Sequence, residues 1–132
     1  MCASSQPEPL LAEMIRRRAT DGGITCAAAH LTADRLQKAP LEIGQAVQDM
    51  GFRIRRCQLG LFGYSPRSSI LTPARTVPAD IRTAIEARVE QNRLSCRICW
   101  QIACHFNISR LTAARCAEAL EIKITKCQLG IF

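Results

Sequence analysis

A hexapeptide occurs twice in this chain, as CQLGLF at residues 57–62 and as CQLGIF at residues 127–132. The offset of seventy positions holds well beyond the hexapeptide. Cys26 falls on Cys96, Ala33 on Ala103, Leu41 on Leu111 and Cys57 on Cys127, and FRIRRCQLGLF overlies IKITKCQLGIF without a gap. Upstream, Ile15 meets Ile85, Arg18 meets Arg88 and Ile24 meets Leu94. The chain is an internal duplication, and any fold assigned to one copy has to serve the other. Each copy holds roughly 55 to 60 residues, close to the lower limit for independent folding. The copies are therefore expected to share a core or to pair through an interface.

The organisation follows from the duplication. Residues 1–8 read as a flexible N-terminus, 9–64 as copy one, 65–77 as a linker and 78–132 as copy two. The linker assignment rests on GYSPRSSILTPARTVPAD, which holds three of the six prolines and has no helical period. In copy two, Ile81, Ile85 and Val89 lie at helical spacing. A second helix covers SCRICWQIACHF with Ser95 as N-cap, and a third opens at SRLTAARCAEAL with Ser109 as N-cap. The closing EIKITKCQLGIF is rich in β-branched residues and reads as a strand. Copy one repeats the plan, with Pro40 in the first turn of its third helix. The expected fold is mainly α: two tri-helical repeats, each ending in one strand.

In copy two the segment IACHFNISRLTAARC sets a small residue, Ala103, where two helices would cross. Asn107, between Phe106 and Ile108, suits the left-handed conformation of a tight turn. Ala113 and Cys116 then fall on the inner face of the next helix. This spacing resembles the helix-turn-helix of bacterial DNA-binding proteins, over about twenty residues in each copy. In copy one Ala33, Leu36, Ile43 and Ala46 match, while Gln37 and Lys38 stand at the turn. The wider unit, ending in IKI..CQLG.F, also resembles a small uncharacterised module of anaerobic bacteria. That resemblance implies a tandem, winged-helix-like arrangement and no established activity. The module's turn glycine is replaced by Gln37 and Asn107, and its third-helix glycine is kept as Gly44 but becomes Ala114 in copy two.

A formal charge of +7 favours an acidic partner. Aromatic residues make up only 5% of the chain, which argues against a stacking platform for single-stranded bases. Duplex DNA is the partner expected, through the third helix of copy two, with Arg97, Ser109, Arg110, Thr112 and Arg115 as contact residues. The same helix of copy one exposes Glu42, Gln45, Gln48 and Asp49, whose carboxylates oppose a phosphate backbone. The alternative is a protein-interaction or assembly module, since tri-helical units also dock partners. Arg16, Arg17 and Arg18 suit the C-terminal end of the first helix.

The repeated hexapeptide reads as a seam. Apolar parity changes after Ile54, so a bulge near Arg56 and Lys126, or burial on both faces, is expected. A single strand needs a partner for its edges. The simplest expectation pairs strand 52–62 with strand 122–132 in a small ribbon, with Cys57, Gln58, Gly60, Cys127, Gln128 and Gly130 at the seam. Gln58 and Gln128 would satisfy backbone groups across it. Pairing with a second chain, giving a homodimer, is the other solution.

Cys96 and Cys99 form a single C-x-x-C, which copy one lacks because Ala29 replaces the second cysteine. A structural metal or cluster site requires about four ligands, often two such pairs. Small, buried, reduced cysteines are the simpler reading, with no metal or other cofactor expected. A metal- or redox-responsive sensor centred on Cys96 and Cys99 is the further alternative. No phosphate loop, nucleophile elbow or carboxylate pair is present, so an enzyme is not expected. The chain has no membrane-length apolar run, and MCASSQPEP lacks a hydrophobic signal segment. A cytoplasmic location is expected.

Overall fold

The computed structural model describes residues 8–132. The flexible stretch expected over residues 1–8 lies outside the described residues, apart from Glu8. The protein is mainly helical, and its elements recur at the offset of seventy. Copy one contributes α1 (Pro9–Arg18), β1 (Gly23–Thr25), α2 (Cys26–Leu36), α3 (Pro40–Asp49) and β2 (Arg53–Arg55). Copy two contributes α4 (Ala79–Arg88), β3 (Arg93–Ser95), α5 (Cys96–Phe106), α6 (Arg110–Ala119) and β4 (Lys123–Thr125).

Local chemistry fixes the helix ends. Thr25 Oγ1 accepts from the Ala28 N–H at 3.1 Å, and Ser95 Oγ accepts from the Ile98 N–H at 3.2 Å. Each satisfies a donor that the first turn leaves without an intrahelical partner. At the other end, Gln37 (φ 53°) and Asn107 (φ 56°) take the left-handed conformation and close α2 and α5. Gln37 does so without being glycine or asparagine. The left-handed positions also recur in pairs: Asp21 with Gln91, Gly22 with Asn92, Arg56 with Lys126, and Gly60 with Gly130. The backbone preserves the duplication even where side chains diverge.

The strands differ from expectation. The predicted ribbon between 52–62 and 122–132 does not form. β2 pairs in parallel with β1 of its own copy, setting Ile24 beside Ile54, and β4 pairs in parallel with β3, setting Leu94 beside Ile124. The partner strand is the short run just before α2 or α5, and the following helix pair supplies the crossover that a parallel pairing requires. Each pairing is only three residues long because Arg56 (φ 54°) and Lys126 (φ 53°) turn the chain out of the ladder. That turn accounts for the parity change near Arg56 and Lys126.

The chain forms two compact units. Unit 1 comprises the described residues up to Cys57 with 128–131, and unit 2 comprises residues 58–127 with Phe132. The tails, residues 58–62 after β2 and 128–131 after β4, are thus each incorporated into the unit built mainly by the other copy. In unit 1, α2 packs on α3 and α1 touches both, with Leu11, Ile15, Ile24, Ile43 and Val47 buried. Leu129 completes this unit and is also buried. In unit 2, α5 packs on α6 and α4 touches both, with Ile81, Ile85, Leu94, Ile102 and Leu59 buried. Fully burying one leucine contributes about 1.5 to 3 kcal/mol, so each tail matters to the unit that it enters. Among the described residues, no helix is long and apolar enough to cross a membrane.

Candidate nucleic-acid interface

The first turn of α6 is built by its cap. Ser109 Oγ accepts from the Thr112 N–H at 3.0 Å and donates to Thr112 Oγ1 at 2.7 Å. This pair fixes where the first helical residue, Arg110, projects. The Arg110 guanidinium lies 3.5 Å from the centroid of the Trp100 ring on α5, and its Nη1 donates to Gln58 Oε1 at 3.3 Å. An exposed guanidinium over a half-buried indole gains about 0.5 to 1 kcal/mol, enough to favour one rotamer of a long side chain. Arg110 remains exposed. Gln58, expected to satisfy backbone groups at a seam, instead accepts from this side chain.

Arg115 is placed differently. It is half-buried, its Nε donates to the Thr72 carbonyl at 3.2 Å, and its own carbonyl accepts from the Ala74 N–H at 3.0 Å. Residues 69–74 are also tied to Gly60, whose carbonyl accepts from the Ile70 N–H at 2.9 Å and from Ser69 Oγ at 3.0 Å. This stretch lay within the predicted linker, and it rests against α6 beside Arg115. Arg97 stands exposed in the first turn of α5 and makes no side-chain hydrogen bond or ion pair among the described residues.

The structure therefore gathers Arg110, Trp100, Gln58, Ser109 and Thr112 at one end of α6 and draws Arg115 toward residues 72–74. Trp100 was missed by sequence reasoning. The signal available was that it is the only tryptophan, one turn before a small residue at a helix crossing.

The same helix of unit 1 lacks such an arginine. Pro40 stands where unit 2 has Arg110, Gln45 Nε2 donates to Asp49 Oδ1 at 2.9 Å, and Glu42 lies 3.8 Å from Lys38 Nζ. Glu8 also accepts from Lys38 Nζ at 3.0 Å, and this bond together with the Glu8 charge raises the Lys38 pKa. Residues 58–127 carry ten Lys or Arg against five Asp or Glu, a net +5, so most of the positive charge belongs to unit 2.

Of the remaining seam residues, Cys57 is buried in unit 1 and Cys127 half-buried in unit 2. Gln128 lies half-buried in unit 1. Gly130 (φ +79°) in unit 1 lies so close to Leu41 that a Cβ on it would come 2.6 Å from Leu41 Cδ1. Gly60 (φ +77°) in unit 2 stands in the same relation to Leu111 Cδ1, at 2.7 Å. Cys96 and Cys99 are buried in α5, and among the described residues no three His, Cys, Asp or Glu side chains converge as a metal site would require. Burial pushes the Cys116 thiol pKa up, against a smaller lowering by Arg115. Comparisons of the chain with known protein families, with curated proteins and with solved structures found no match.

Proposed function

We propose that this protein binds duplex DNA through unit 2, in a transcription-regulator-like role, with α5, the turn at residues 107–109 and α6 acting as a helix-turn-helix. The observation that carries this reading is the presentation of Arg110. It sits at the first position of α6, exposed, and is held by Trp100 and Gln58. In helix-turn-helix docking the N-terminal residues of the second helix meet the base edges, and arginine there suits a guanine edge or a phosphate. Arg97 at the start of α5 would contact the backbone, with Ser109 and Thr112 as neighbouring hydroxyls. Arg115 enters mainly as the anchor of residues 72–74. The net charge of unit 2 supplies the sequence-independent attraction.

A second reading, a protein-docking module, is favoured by the surface of unit 1. Leu10 and Leu31 are 57% and 39% exposed there, where the other copy has Asp80 and Gln101.

Trp100 fluorescence tests the primary reading directly, because duplex engagement of Arg110 alters the cation stacked on the only indole. Titration of the full chain with a mixed-sequence duplex should change the emission saturably. An unchanged spectrum across a concentration range in which anisotropy reports binding would move the site away from Arg110.

A further inference from the structure

Unit 2 contains a cleft of about 500 Å³ over the β3–β4 pair, lined among others by Arg88, Arg93 and Lys126 and by the single carboxylate of Glu90. The Ser95 and Thr125 hydroxyls also line it. Its volume falls in the usual range for small-molecule sites, about 300 to 1,000 Å³. Three cations facing one carboxylate leave a surplus of two positive charges. Arg88 is partly engaged, its Nη2 donating to Gln101 Oε1 at 3.2 Å. Arg93 and Lys126 make no side-chain hydrogen bond or ion pair among the described residues. No residue of α6 is among the lining residues.

The duplication provides an internal control. In unit 1 the residue matching Arg93 is Gly23, and the residue matching Thr125 is Arg55. There the Arg55 side chain lies over Gly23 where a Cβ would otherwise stand, and its Nη2 donates to the Asp21 carbonyl at 2.7 Å. Unit 1 thus fills this position with its own guanidinium. Unit 2 has moved the arginine to the neighbouring strand and put the short Thr125 opposite, leaving the cations facing a cleft.

We propose that this cleft binds a small molecule carrying a dianionic phosphate group. Arg93 and Lys126 are its principal charge partners, Arg88 a supporting one, and the Ser95 and Thr125 hydroxyls its donors. Dianionic phosphate matches the surplus charge, and arginine pairs with phosphate oxygens through parallel donors.

Calorimetric titration of the full chain with inorganic pyrophosphate, at constant ionic strength set with sodium chloride, tests the proposal. One saturable site is expected, weakened roughly tenfold or more by Arg93→Ala and by Lys126→Ala and unaffected by Arg110→Ala. The double substitution Arg93→Gly with Thr125→Arg rebuilds the arrangement of unit 1 and should abolish binding while the thermal midpoint stays near wild type. Absence of a saturable site in the wild-type chain, or undiminished affinity in both single variants, would overturn the proposal. A parallel titration with duplex DNA identifies the source of the phosphate. Duplex affinity within about twofold of wild type in the two single variants fits a separate small-molecule site. Duplex affinity that falls with pyrophosphate affinity would assign the cleft to the nucleic-acid backbone and overturn the small-molecule assignment.

Discussion

The carbonyl oxygen of Leu129 occupies the position that a side chain on Gly44 would take. Leu129 follows β4 in sequence, yet both residues belong to unit 1. Residues 58–62 and 128–131 of the repeated hexapeptide are thus a pair of tails, each completing the unit built mainly by the other copy.

This close approach makes Gly44 a packing residue. Alanine in a helix interior normally gains about 1 kcal/mol over glycine. At this position its methyl would meet backbone rather than a movable side chain end, and overpacking costs typically about 1 to 3 kcal/mol. Gly44→Ala is expected to lower unfolding stability in urea. The matching change Ala114→Gly should also lower it, by about 1 kcal/mol through helix propensity. A gain in stability from Gly44→Ala would show that the Leu129 backbone shifts freely.

The tail exchange predicts where damage appears. Truncating a buried leucine to alanine costs about 2 to 5 kcal/mol. Leu129→Ala should speed amide hydrogen exchange in α2 and α3, although residue 129 belongs to copy two. Leu59→Ala should do the same in α5 and α6. Acceleration confined to the helices of the mutated copy itself would contradict the exchange.

Gln37 and Asn107 carry the same backbone strain with different tolerance for it. A residue other than glycine in the left-handed region loses about 1 to 2 kcal/mol, with asparagine penalised least. Glycine returns part of that gain through the greater freedom of the unfolded chain. Gln37→Gly is therefore expected to raise the thermal midpoint, and Asn107→Gly to raise it less. Equal shifts would mean that Gln37 is as well accommodated as Asn107.

The helices were legible because their signals are local. Ser95 and Ser109 cap where expected, Pro40 opens α3, and Asn107 takes the left-handed turn. The strands before α2 and α5 were not. GIT and RLS are too short to show an alternating period, and Thr25 and Ser95 serve at once as strand ends and helix caps. The exchange of tails could not be read either. CQLGLF and CQLGIF offer nearly the same side chains to nearly the same grooves, so the sequence carries little preference for one connection over the other. At the candidate site, the position of Arg110 at the start of α6 was legible from the Ser109 cap and the helical spacing. The role of residues 69–74 was not, because a polar, proline-containing stretch reads as a linker until its backbone bonds to Gly60 and Arg115 are seen.

Under the proposed function, unit 2 engages duplex DNA through the first turn of α6. Anisotropy of a labelled mixed-sequence duplex, titrated with the full chain across a salt series, tests it most directly. Affinity should fall steeply as salt rises, and Arg110→Ala should cost about 1 to 3 kcal/mol if the guanidinium reads a base edge, or reduce the salt slope by about one if it meets a phosphate. Arg115→Ala should weaken binding less. No binding at low salt, or binding indifferent to Arg110→Ala, would contradict the account.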